Sequence, residues 1–163
     1  MNWSYMQMVG LHPKSERINL NKISSTNLKF YLPQAKKKNI TLENNIPNYL
    51  EVLADKEHLN SILRNLISNA IKFSFKNTKI TVGGKHDGNY STIYVKDEGK
   101  GITKNKIDDI FKAGVSEFGT SGEKDTGLGL ALCQEFVEKN SGKIWVESEK
   151  GKGSTFYISL PNS

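Results

Sequence analysis

Between residues 55 and 73 the chain returns to apolar side chains at one spacing. Leu59, Ile62, Leu63, Leu66, Ile67, Ala70 and Ile71 fall at i, i+3, i+4, i+7, i+8, i+11 and i+12. This is the stripe of a helix facing a core, and Asp55 stands where an N-cap belongs. Residues 22–38 predict a second helix, which Pro33 should kink or divide. A third covers 127–140, and Thr103 is placed to cap a short helix reaching Phe111. Alternation predicts strands over 40–46, ended by Pro47, and over 51–53, 143–149 and 155–160. Strands over 79–85 and 90–96 are joined through His86-Asp87-Gly88-Asn89, a hairpin connection. Residues 112–126 keep neither period and carry Gly114, Gly119 and Gly122, so a mobile loop is expected; loops of that length in compact domains are functional or disordered. Ahead of all this, Trp3, Met6 and Val9 lie at helical spacing in a segment too short to be stable alone. It reads as the tail of a longer helix, followed by a linker that Gly10 and Pro13 open and that reaches Leu20. Helices mixed with hairpin-joined strands predict an α/β class with a mixed sheet covered on one face.

Composition narrows the setting. At 163 residues, 36% hydrophobic and 25% charged, the chain has the size and balance of one globular domain. It has no apolar run approaching the roughly 20 residues of a membrane-spanning helix, and its first ten residues lack the basic leader and apolar core of a signal peptide. The single Cys133 excludes an internal disulfide and a thiolate zinc cluster, which fits a reducing cytoplasm. The net charge of +6 raises the question of nucleic acid. Arg17 and Arg64 are the only arginines, and a lysine-dominated surplus lacks the planar fork that reads guanine edges, so no nucleic-acid partner is expected. The basic run Lys36-Lys37-Lys38 reads as a solvated helix end.

Four patterns carry candidate chemistry. Asn65, Asn69 and Lys72 stack two amides and an ammonium on one stripe of the long helix. An amide oxygen is a hard ligand suited to Mg²⁺, and a nearby lysine can balance phosphate charge; an ordinary solvated face fits the same residues. Asp97-Glu98-Gly99-Lys100-Gly101 follows a strand, so its glycines let the backbone approach a flat ligand while Asp97 could accept a bond from an exocyclic amine. A bare turn fits as well. Thr126-Gly127-Leu128-Gly129-Leu130 opens a helix whose free N–H groups suit a polyphosphate, or it is a helix start with glycine in close packing. Gly153-Ser154-Thr155-Phe156 enters the last strand with hydroxyls that could rim a purine.

Taken in this order, the patterns resemble the catalytic, ATP-binding domain of bacterial sensor histidine kinases, in the wider class of gyrase, Hsp90 and MutL ATPases. The N-box is residues 65–73, G1 is 97–101, G2 is 126–130 and G3 is 153–156; Phe111 and Phe118 are candidates for a blurred F-box. The resemblance spans about residues 19–161. It implies a two-layer α/β sandwich, the Bergerat fold, holding Mg²⁺ and ATP between the long helix and a lid at 112–126. On the resemblance, Asn69 is the metal ligand, Lys72 touches the phosphates and Phe73 packs beside the adenine. Asp97 reads the adenine amine with Gly99, Gly101 and Ile102 beside it, and Thr155 supplies a hydroxyl near the base. Gly127, Leu128, Gly129 and Leu130 form the phosphate-facing helix start, with Thr126 ahead of it and Lys124 offsetting the charge of Asp125.

ATP-hydrolysing relatives resemble one another in a glutamate one turn before the metal asparagine. Here that position is Asn65, and an amide cannot take a proton at pH 7. Slow hydrolysis is expected, with phosphoryl transfer awaiting an imidazole nucleophile. None of His12, His58 and His86 has the sequence context of a phosphoacceptor, and each reads as a surface histidine. The expected organisation is therefore a remnant of the dimerisation and phosphoacceptor helix plus linker over 1–18, and an ATP-binding domain over 19–163. The chain reads as a fragment of a cytoplasmic unit whose parent could be membrane-anchored, with a response regulator as indirect partner. A freestanding serine kinase or ATPase of the same fold, and a regulatory module without catalysis, are the alternatives.

Overall fold

A computed structural model describes residues 12–115, 119–123 and 127–163. The sheet has five strands in the order β2 (Thr41–Asn44), β4 (Lys79–Asp87), β5 (Tyr90–Lys96), β7 (Gly153–Pro161) and β6 (Lys143–Glu149). Its first pair is parallel and the rest are antiparallel. Helices α1 (Leu20–Lys37), α2 (Lys56–Phe73) and α4 (Gly129–Lys139) supply the second layer, and α3 (Lys104–Ile107) is a single turn. The expected mixed sheet backed by helices is what the chain forms.

The predicted stripe of α2 is the centre of the core. Leu59, Ile62, Leu63, Leu66 and Ile67 are buried with Ile80 and Val82 of β4, Ile93 and Val95 of β5, and Ile158 and Leu160 of β7. Each such side chain contributes about 1.5–3 kcal/mol by leaving water. The alternate positions of the sheet carry Tyr94, Tyr157 and Trp145 on its other face, where Trp145 stacks on Tyr157 at 5.2 Å.

Four expectations change. The stretch read as linker contains a strand, β1 (Ser15–Asn19), antiparallel to β3 (Glu51–Asp55) with Ser15 opposite Asp55. The boundary drawn between residues 18 and 19 thus falls inside β1. Pro33 does not divide α1, because Pro33 and Lys29, whose carbonyl loses its helical donor, both face solvent. His58 is buried rather than at the surface: its ring stacks on Phe136 at 4.3 Å and its Nδ1 lies 3.0 Å from the Asn140 amide nitrogen. Lys38, read as solvated, is buried as well.

Asp55 caps α2 as predicted, its Oδ1 accepting from the N–H groups of Glu57 (3.0 Å) and His58 (3.2 Å). Its Oδ2 also accepts from Lys14 N at 2.9 Å, and its own N–H donates to Asn140 Oδ1 at 2.8 Å. One residue thus joins the entry of β1, the start of α2 and the end of α4.

Candidate functional site

The last turns of α2, the end of β5 and the start of β7 meet around one cavity. Asn69 and Phe73 line it from the helix, Asp97 from the strand end, and Ser154 and Phe156 from β7. Gly101, Ile102, Lys106, Ile110, Val115 and Leu130 continue its lining.

Asp97 is held by backbone. Its N–H donates to Ser154 O at 2.9 Å, and its Oδ1 accepts from Gly99 N and Ser154 N, each at 3.0 Å. Neither side-chain bond uses Oδ2. Burial pushes the carboxyl pKa up to about 6, against the lowering effect of the two N–H donors. An acid poised there changes charge close to neutrality.

The G1 turn is built for close approach. Gly101 has φ 70°, and a Cβ on it would collide with the carbonyl of Glu149. Gly99 bridges to Ser74, and Lys100 N donates to Phe73 O at 3.1 Å, so the turn is fastened to the end of α2. The Lys72 and Lys100 ammonium groups lie 5.8 and 5.1 Å from the Phe73 ring centroid.

Asn65 stands one turn before Asn69 but borders a shallow polar depression with Ser61, Arg64 and Ser68 instead of the cavity. Its Nδ2 donates to Ser61 O at 2.9 Å, and its Oδ1 is backed by Gly129. Helix α4 begins at Gly129, two residues later than predicted, with Leu128 as N-cap; Leu130 reaches the cavity wall, and Gly127, Leu128 and Gly129 do not. Lys124, Thr126 and Phe118 lie outside the described residues. Phe111 packs edge-on against Phe156 at 6.3 Å.

Thr155 does not line the cavity. In β7 the alternate positions Ser154, Phe156, Ile158 and Leu160 are buried, so Thr155 falls on the opposite face with Tyr157. The cavity hydroxyl is that of Ser154, one residue earlier. Lys106 and Ile110 escaped the sequence reading, although Ile102, Lys106 and Ile110 at i, i+4 and i+8 form one stripe that could have marked them.

Among the described residues no group of three or more His, Cys, Asp or Glu side chains could hold a metal ion. The cavity offers one amide, Asn69, as a hard oxygen donor. That set suits an ion that keeps its waters and arrives with phosphate oxygens, which is the habit of Mg²⁺.

The family model of the histidine kinase-, DNA gyrase B-, and HSP90-like ATPases matches residues 54–163. The chain belongs to this family. Among its relatives, the adaptive-response sensory kinase SasA of Synechocystis sp. is 35% identical over 82% of this ATPase-family chain and 36% of its own length. The sensor histidine kinase ZraS of Escherichia coli is 34% identical over 92% of this chain and 32% of its own. The chain thus spans about a third of the length of each of these two relatives. The nucleotide-free catalytic domain of histidine kinase ThkA superposes with a TM-score of 0.80 at 26% identity, covering 91% of this chain and 96% of that one. The histidine kinase AdeS of Acinetobacter baumannii shares the fold, with a TM-score of 0.81 at 22% identity over 98% and 75% of the two chains. Among the described residues of this ATPase-family chain, no helix is long and apolar enough to cross a membrane.

Proposed function

We propose that the chain is the catalytic unit of a sensor histidine kinase, binding ATP with Mg²⁺ and donating the γ-phosphoryl group to a histidine on a dimerisation and phosphoacceptor domain. The observation that carries this reading is that Asn69 and Asp97, on separate elements, line one cavity beside the start of α4. Asp97 Oδ2 accepts the exocyclic amine of adenine, with Gly101, Ile102 and Ser154 around the base and Phe73 beside it. Gly99 acts through Asp97, to which its N–H is bonded. Asn69 holds the metal ion, and Lys72 meets the phosphates. Gly127, Leu128 and Gly129 lead the triphosphate to the helix start, where the helix dipole favours anions. When bound, Mg²⁺ neutralises charge on the β- and γ-phosphates.

Asn65 keeps its amide nitrogen on Ser61 O, so no base stands there to activate water, and ATP waits for its acceptor. The neutral acceptor imidazole attacks the γ-phosphorus as the bond to the bridging oxygen breaks, and ADP leaves. Strand β1 already belongs to the ATP-binding unit, so the junction with the phosphoacceptor domain lies ahead of residue 15, and the unit works in the cytoplasm. A response regulator then takes the phosphoryl group; a structural neighbour, ThkA, is described in complex with the response regulator TrrA.

The test combines this chain with γ-labelled ATP, Mg²⁺ and a separate phosphoacceptor domain. Transfer of acid-labile label to the domain, abolished when its histidine is replaced, is expected. Brisk phosphate release by the chain alone, without transfer, would contradict the reading.

A further inference from the structure

Lys38 closes the basic run at the end of α1, yet it is only 6% exposed. Its ammonium lies near four oxygens: the carbonyls of Ile71 (2.9 Å) and Lys72 (3.0 Å), Thr120 Oγ1 (2.7 Å) and Glu123 Oε2 (2.9 Å). The first two are carbonyls of the last turn of α2, which lack helical donors and mark the negative end of the helix dipole. The other two belong to residues 119–123, within the glycine-rich stretch.

That segment also grips α2 directly. Thr120 N donates to Lys72 O at 3.0 Å, and Thr120 Oγ1 donates to Ser74 O at 2.5 Å. Gly119 lies against the carbonyl and Cγ of Lys72. Internally, Gly119 N donates to Glu123 O at 2.9 Å and Ser121 N to Glu123 Oε1 at 2.8 Å. Burial pushes the Glu123 carboxyl up, but the bonds from Lys38 and from the Glu123 and Ser121 N–H groups outweigh it and hold it below the usual carboxylate range.

A buried lysine is costly unless it is paired, and an apolar side chain would seal the end of α2 with less desolvation. What a cation adds is a simultaneous grip on helix carbonyls and on an acid 85 residues away. Lys72 sits between the two, touched on its carbonyl by Lys38 and Thr120 and on its side chain by Gly119.

We propose that Lys38 and Glu123 form a latch that clasps residues 119–123 to the end of α2 and thereby positions Lys72 at the phosphate end of the site. The proposal rests on the ATP-binding reading above. Both are positioning residues, since neither lines the cavity. Opening the latch leaves the base end, around Asp97 and Ser154, in place, so its loss is felt by a triphosphate and not by a monophosphate.

The experiment compares the unaltered chain with Lys38→Met, Glu123→Ala and the double variant, measuring affinity for Mg-ATP and for AMP and amide exchange at Thr120 and Ser121. Each single change is expected to weaken Mg-ATP binding about tenfold, to leave AMP within about twofold, and to speed exchange at both amides, with the double variant no worse than Lys38→Met. Glu123 is one-third exposed, so Glu123→Ala carries the test should Lys38→Met fail to fold. Unchanged ATP affinity, equal loss for ATP and AMP, or additive effects would overturn the latch alone. Failure of the unaltered chain to bind any adenine nucleotide would overturn the ATP site and the latch together.

Discussion

Ser154 donates its backbone N–H to Asp97 Oδ1 at 3.0 Å across 57 residues of sequence. The bond fixes the carboxylate at the cavity without saturating it. Because an adenine amine bonds more strongly to a carboxylate than to a neutral acid, and burial raises the Asp97 pKa to about 6, binding should pull that pKa down. Nucleotide affinity is then expected to rise from pH 5 to 7, level off above, and release a proton near pH 6. Asp97→Asn should flatten the profile and lower affinity at pH 7.5 by about ten- to a hundredfold, the worth of a bond to a charged group. Calorimetry in two buffers of different ionisation enthalpy reads both effects.

Metal dependence separates Asn69 from the base end. Mg²⁺ alone should bind weakly, because the cavity offers it one amide, whereas Mg²⁺ should strengthen ATP binding markedly. Asn69→Ala should remove that increment while leaving metal-free binding nearly intact. Titrations with and without a chelator test it, and an undiminished magnesium effect in the variant would reassign the ligand.

Two glycines with positive φ provide a matched pair. Gly88, at φ 61°, has nothing near a would-be Cβ, whereas Gly101, at φ 70°, faces the Glu149 carbonyl. Gly88→Ala should cost about 1–2 kcal/mol of stability, the left-handed penalty, and keep nucleotide binding. Gly101→Ala should cost more and lose binding. Thermal melts with and without ATP distinguish the two.

Cys133 is fully buried, and burial pushes its thiol pKa up to about 12. It should resist thiol reagents at pH 8 in the native protein and react rapidly in denaturant. Rapid native labelling would contradict its packing against α2, where Sγ lies 3.8 Å from Ile62 O.

Local regularities carried the sequence reading furthest. The α2 stripe, its Asp55 cap and the β4–β5 hairpin are written within short windows, and the structure keeps them. Strand β1 was invisible because of its five residues only Ile18 is buried, and its partner β3 is distant in sequence. The displacement from Thr155 to Ser154 is a matter of strand parity, which a motif does not reveal when two hydroxyl residues are adjacent. Lys38 could not be told from its exposed neighbours Lys36 and Lys37, since its partners come from α2 and residues 119–123. Of the site, the residue types were legible and the enclosing wall of Lys106, Ile110 and Val115 was not.

Asp55 makes one corner of the molecule sensitive to acid. Its burial alone would raise its pKa, but N–H donors from Lys14, His58 and Glu57, together with the attraction of the His58 ring, hold it lowered. A group of that kind adds stability above its unfolded value and surrenders it as the solution is acidified through the folded one. Neutralising a single oxygen pair would slacken the β1 entry and the first turn of α2 together, so unravelling on acidification should begin there rather than at the sheet.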